Sequence, residues 1–217
     1  MTTLAEIATT VPGAAGVFRR HRLDFCCKGE ISLEEACTQR GVDPGTVTRD
    51  LDGLPGDTES LEPLKALSPA ALVDHIERRY HEPLRPMVDD LIAMARKVER
   101  VHADKPECPH GLALRLEQAR VALDEHLGKE EQILFPAIRR GMGPELSPPI
   151  AAMRHDHDDH GETLRELRAL ASDFVPHDGA CRTWRALFLG LAKLESEVHE
   201  HVLVENHLLF PSVLGES

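Results

Sequence analysis

His126-Leu-Gly-Lys-Glu130-Glu-Gln-Ile-Leu-Phe-Pro136 and His201-Val-Leu-Val-Glu205-Asn-His-Leu-Leu-Phe-Pro211 are near copies lying 75 residues apart. Each holds a histidine, a glutamate four positions on, and an apolar run closed by Phe-Pro. On a helix, positions i and i+4 share a face, one above the other. Each copy therefore aims an imidazole and a carboxylate at the same object. Paired carboxylates with several histidines suit iron or manganese better than a thiolate-rich zinc site.

Outward from the copies, four long periodic segments fill the chain after residue 66. The first runs from Pro69 to Val101, with Val73, Ile76, Tyr80, His81, Leu84, Val88, Leu91 and Ala95 on one stripe. Pro83 and Pro86 fall inside it and predict a kink or irregular turn. The second carries Leu112, Leu116, Ala119, Leu123, His126, Glu130, Ile133 and Ala137. The third, with Ser147 as its expected cap and Pro148 in its first turn, carries Ile150, Met153, His157, His160, Leu164, Leu167 and Ala171. The fourth carries Trp184, Leu187, Leu191, Leu194, Val198, His201, Glu205 and Leu208. Steps of three and four over such lengths, joined by short connections, predict an all-α fold: an antiparallel four-helix bundle over residues 66–217. Residues 1–65 read as a small helical domain. Thr10-Val-Pro-Gly13 is an expected helix start, continued from Ala14 to His21, Ser32 with Glu35 is a capping box, and Leu54 to Ser60 a linker.

The stripes sort the 13 histidines. His81, His126, His157 and His201 fall inward, one per helix, and Glu130 and Glu205 share their stripes. His160 also faces inward, and His155 faces elsewhere. A single inward histidine is ordinarily a core residue satisfied by a hydrogen bond. Six inward polar groups, two of them carboxylates, need compensating charge. Four neutral imidazoles and two bridging carboxylates around two divalent ions meet that need, with di-iron the best assignment and di-manganese its rival. The six side chains offer fewer ligand atoms than two octahedral ions accept. Positions remain for solvent, for an oxo or hydroxo bridge, or for a small gas.

The formal charge of −12, with no basic block, argues against a nucleic-acid surface. No apolar stretch is long enough to span a membrane and no charged leader precedes an apolar run, so a cytoplasmic location is expected. Five cysteines without zinc-knuckle spacing fit a reducing compartment. Cys26 and Cys27 are adjacent, which makes a mutual disulfide strained. Beside Arg19, Arg20, Arg22 and Lys28 they read as a reactive or metal-passing pair or an intermolecular contact; the alternative is two small buried residues at a helix end.

Taken together, these motifs resemble the bacterial iron–sulfur cluster repair di-iron proteins over nearly the whole chain. Phe18-Arg-Arg-His-Arg-Leu-Asp24-Phe-Cys-Cys27 is similar to that family's cysteine-pair domain. Arg79-Tyr-His81, Glu99-Arg-Val-His-Ala-Asp-Lys105, His126 with Glu130, His157-Asp-Asp-His-Gly-Glu162, and His201 with Glu205-Asn206 are similar to its hemerythrin-like bundle. The resemblance implies His81, His126, His157 and His201 as terminal ligands of two non-haem irons bridged by Glu130 and Glu205, with His155 and His160 as outer-shell candidates. It implies a role in repairing clusters damaged by oxidative or nitrosative stress, through iron supply. An NO-reducing enzyme and an O₂ or NO sensor are the alternatives. Its implied partners are damaged iron–sulfur proteins and the gases NO and O₂, with a homodimer left open. The run Glu82-Pro83-Leu84-Arg85-Pro86 departs from the family, where a further histidine and a polar run often follow the first ligand.

Overall fold

The structure is a computed structural model that describes residues 2–55 and 60–216. The described residues are helical throughout apart from turns and one isolated bridge between Thr3 and Ser32. The expected linker over 54–60 is described only at its ends; residues 56–59 lie outside the described residues.

Four short helices come first: α1 (Leu4–Thr10), α2 (Ala14–Arg20), α3 (Leu33–Arg40) and α4 (Pro44–Asp52). The Thr10–Gly13 segment is the helix start expected from sequence, with Gly13 at the N-cap of α2, and it also separates α2 from a helix that was not expected, α1. The missed helix α1 opens on a complete capping box, in which the Thr3 hydroxyl accepts from the Glu6 N–H and the Glu6 carboxylate accepts from the Thr3 N–H. Ser32 caps α3 as predicted.

Four rods follow. The first joins α5 (Pro69–Ile76) to α6 (Glu82–Val101). The second joins α7 (Leu112–Lys129) to α8 (Phe135–Arg139), the third is α9 (Ser147–Leu170), and the fourth joins α10 (Arg182–Val204) to α11 (Phe210–Leu214). Cross-rod pairs give the direction. Arg96–Glu117, Arg120–Asp89 and Arg85–Asp124 count up one rod and down the next. Arg115–Glu166 with Lys129–Asp156, and Arg168–Glu195 with His157–Glu205, repeat this on the next two interfaces. Tyr80 bonding Glu200 at 2.9 Å, together with Leu91 lying under Gly190, closes the ring between fourth and first rods. Every neighbouring pair is antiparallel, so the expected bundle is borne out.

Three rods contain a wide π turn: Glu77–His81, Glu130–Leu134 and Glu205–Leu209. In each the residue after the turn donates its N–H five residues back, Glu82 to Glu77, Phe135 to Glu130 and Phe210 to Glu205. Each turn begins six residues before a proline, Pro83, Pro136 or Pro211. Proline has no N–H for the i−4 carbonyl and its ring collides with that carbonyl in an α-helix. Widening the preceding turn carries the carbonyl away while the rod stays unbroken. The expected irregularity in the first rod is therefore a π turn ahead of Pro83, and Pro86 sits inside α6. The extra residue also corrects the second stripe: Ile133 is 65% exposed and Leu134 takes the inward place. Ser147 is likewise not a cap but the first residue of α9, entered from a 3₁₀ turn at Pro144–Leu146.

The short helices dock on the bundle through the Asp24–Gly29 loop. The Cys26 carbonyl accepts from Asn206 Nδ2 and from His207, each at 3.0 Å, and Phe25 meets the His199 ring edge-on. Gly29 permits the tight loop and its approach to the bundle, since a Cβ there would lie 2.3 Å from the Phe25 carbonyl oxygen, 2.8 Å from Ala5 Cβ and 3.1 Å from His207 Nε2. Gly29→Ala should cost on the order of 1–3 kcal/mol. Gly128→Ala, on α7 where the added methyl meets only the end of Gln132 at 3.7 Å, should stabilise by about 0.5–1 kcal/mol. Denaturant unfolding of the two variants checks the opposite signs.

Candidate metal centre

The π turns place the inward polar groups. Glu130 and Glu205 open their turns and His81 ends its own, while His157 comes from the regular α9. All six of His81, His126, Glu130, His157, His201 and Glu205 are buried to within 2% of full coverage. They fall into two overlapping groups: His81, His201, Glu130 and Glu205, and His126, His157, Glu130 and Glu205.

The carboxylates are shared oxygen by oxygen. Glu130 turns Oε2 to His81 Nε2 and Oε1 to His126 Nε2, both at 3.5 Å. Glu205 turns Oε2 to His157 Nε2 at 3.0 Å and Oε1 to His201 Nε2 at 3.1 Å. These approaches are close but lack hydrogen-bond geometry. Both oxygens of both glutamates, with His126 Nε2 and His157 Nε2, are buried without a hydrogen-bond partner among the described residues. Buried polar atoms are seldom left so, and several at once converging on one space fit cations between them.

The outer nitrogens fix the tautomers. His81 Nδ1 meets the Glu131 carboxylate at 3.0 Å, His126 Nδ1 the Asp156 carboxylate at 3.3 Å, and His157 Nδ1 the Asn206 Oδ1 at 3.0 Å. These oxygens only accept, so each Nδ1 carries the proton and each Nε2 presents its lone pair inward, the arrangement metal-binding histidines use. His81 Nε2 lies 3.1 Å from His201 Nε2, close to the spacing of about 3.0 Å for two nitrogens at right angles on one ion with bonds of about 2.1 Å. Lys129 anchors Asp156 at 2.8 Å, and Arg85 holds both oxygens of Glu131 at 3.0 and 3.1 Å. The departing run at Glu82–Pro86 thus supplies Arg85 to this shell.

Glu131 and Asp156 are given no role by the sequence motifs and Asn206 enters them only as the neighbour of Glu205, yet each sits beside a ligand-type residue of a different rod from the histidine it orients. Glu131 follows Glu130 and holds His81; Asp156 precedes His157 and holds His126; Asn206 follows Glu205 and holds His157. Phe135 stacks on His81 with centroids 5.5 Å apart, and Phe210 on His157 at 6.0 Å. His160 packs edge-on against His126 at 4.8 Å and lines a cavity of about 30 Å³, the size of one water, with its Nε2 unpartnered. His155 does not join the cluster: it is exposed, roughly 200° around α9 from His157. Cys26 is buried and Cys27 half-buried, with sulfurs 3.7 Å apart and Cys27 Sγ 3.6 Å from the His157 carbonyl oxygen.

Burial sets the charge states. It pushes His81 down to about 4 and His126 to about 2, with neighbouring imidazoles adding to the effect. Burial and the adjacent Glu205 hold Glu130 well above the usual carboxylate range. Burial opposes ionisation of Glu205 too, but His201 and His157 outweigh it and keep that carboxyl well below the range. The pocket therefore offers the neutral lone pairs of His81 and His126 and one firmly ionised carboxylate, with a second ready to ionise against a cation.

Residues 72–213 match the family of the Hemerythrin HHE cation binding domain, and residues 1–54 match a Domain of Unknown function (DUF542). The chain is 41% identical over 212 residues to the iron–sulfur cluster repair protein YtfE of Yersinia pseudotuberculosis serotype O:1b (strain IP 31758), covering 98% of this chain and 96% of that one. It is 40% identical to the protein of that name from Musicola paradisiaca (strain Ech703), over 99% and 97% of the two chains. The Edwardsiella ictaluri (strain 93-146) protein is 40% identical over 98% and 96%. No helix among the described residues is long and apolar enough to cross a membrane.

The depressed histidines make the metal-free protein pH-sensitive. Burial holds His81, His160 and His199 at about 4 against an ordinary 6.5. Between those values the unfolded chain binds more protons at these three histidines than the folded one, which outweighs the opposite contribution of the raised Glu130, so folding stability rises with pH from about 4 to about 6.5. Denaturant unfolding of chelator-treated protein across that window checks it; a flat profile would contradict the neutral assignment.

Proposed function

Because the chain belongs to the iron–sulfur cluster repair proteins built on a hemerythrin-type bundle, we propose that it is a di-iron protein that helps repair iron–sulfur clusters damaged by oxidative or nitrosative stress by supplying iron to them. The observation that carries this reading is the sharing of two buried carboxylates between two pairs of inward-facing imidazoles. His81 and His201 would hold one ion, His126 and His157 the other, with Glu130 and Glu205 spanning both. A nitrogen and oxygen donor set without thiolate favours iron over zinc. Bound there, the two ions supply both redox capacity and the iron to be given away.

The chain's own residues do the rest. Glu131, Asp156 and Asn206 keep three lone pairs aimed inward, and Phe135 and Phe210 hold two of the imidazoles from the side. We assign ion holding to residues 66–217 and control of access to residues 1–65, whose Asp24–Gly29 loop covers His157 and Asn206. The partners of such a protein are iron-depleted iron–sulfur proteins in the cytoplasm.

Glu130→Ala or Glu205→Ala should each lower iron content below one ion per chain, read by metal analysis and by loss of the iron absorption in the near ultraviolet. Asn206→Ala should leave the fold and weaken iron affinity by about 10–100-fold. Iron-loaded protein mixed with a cluster protein that has lost iron should restore that acceptor's activity while losing its own iron. Iron retained throughout, with no recovery in the presence of reductant, would sink the donation reading.

A further inference from the structure

Outside the buried pocket the structure holds a second set of ligand-type groups. Asp24, Cys26 and Cys27 each offer one ligand atom within 4.8 Å of the others. The geometry points to a mononuclear site here for a thiolate-binding divalent ion of the Fe(II) or Zn(II) class, separate from the dinuclear pocket.

Four observations support it. First, the Cys26 and Cys27 sulfurs are 3.7 Å apart, and two thiolates on one tetrahedral ion with bonds of about 2.3 Å stand about 3.8 Å apart. Second, Cys26 Sγ is 3.7 Å from Asp24 Oδ1, near the roughly 3.5 Å expected for mixed sulfur and oxygen ligands on such an ion. That carboxylate is fixed in place by the Cys27 N–H at 3.0 Å. Third, the three side chains line one cleft of about 330 Å³ between the short helices and the bundle, so a fourth position is open to an outside ligand.

Fourth, the cleft is cationic in a protein of formal charge −12. Arg19, Arg22, Arg40, Arg165 and Arg168 line it. Arg22 and Arg168 pair with Asp173 and Glu195, and Arg165 pairs with Glu162. Arg19 and Arg40 make no close ion pair among the described residues. Two thiolates and a carboxylate on a divalent ion carry a net negative charge, which these guanidiniums offset. Binding displaces two thiol protons to solvent and involves no change of oxidation state.

The site is one step from the larger one. Asn206 donates to the Cys26 carbonyl and accepts from His157 Nδ1, both at 3.0 Å, and Cys27 Sγ touches the His157 carbonyl. Taking the iron-supply reading of the dinuclear pocket as its premise, the new site is a transit point from which an ion leaves toward an anionic, sulfur-bearing acceptor in the cleft. The existence of the site does not need that premise.

The test titrates the full-length, iron-loaded, thiol-reduced protein with Co(II). One further ion per chain should bind, with a thiolate-to-cobalt charge-transfer band in the near ultraviolet. Cys26→Ser and Cys27→Ser should lose that ion and band while keeping iron content and far-ultraviolet circular dichroism. Asp24→Asn should keep the band at weakened affinity. Absence of the band in the parent chain overturns the site whatever the variants do, and so does its persistence in both serine variants. A parent chain that binds Co(II) in this way yet transfers no iron supports the site and counts only against the donation reading.

Discussion

Two glutamates with no exposed surface cannot stand in the middle of a helical bundle unless something positive meets them. The rest of the molecule follows from that constraint. Lone pairs must face inward, so outer partners take the opposite proton of His81, His126 and His157. The partners must themselves be held, which is what Arg85 and Lys129 do from the surface.

The two Phe-Pro copies act as more than ligand donors. In each copy the glutamate faces the pocket, its immediate neighbour orients a histidine of the adjoining rod, and the phenylalanine stacks on that same ring. The first copy does this for His81 through Glu131 and Phe135; the second does it for His157 through Asn206 and Phe210. The histidines on rods without a glutamate are the ones so held. The first and second rods are thus related to the third and fourth as a repeat. The repeat is imperfect, since the third rod has no π turn and the cysteine loop lies on the third and fourth rods.

Much of this was legible in the chain. Stripe arithmetic alone sorted the inward histidines from the rest, because a step of three or four leaves little freedom over a dozen residues. It erred at Ile133, inside the turn Glu130–Leu134 that is widened ahead of proline, since a count based on 3.6 residues per turn has no place for an extra residue. Helix α1 was missed because it is short and lies beside Val11-Pro12-Gly13, although Thr3 and Glu6 carried its signal. The outer residues Glu131, Asp156 and Asn206 were hidden for a different reason. They lie off their own rods' stripes and act on neighbouring rods, a relation that periodicity within one helix does not contain.

The π turns also bear on how the sequence can drift. Substitution within Glu131–Leu134 changes a side chain, but loss of one residue there would rejoin two α-helical segments and turn everything beyond by about 100°. Phe135 would leave His81 and Pro136 would meet a carbonyl. The number of residues from glutamate to proline is therefore constrained together with the Glu131 and Phe135 side chains, because their reach to His81 depends on that count.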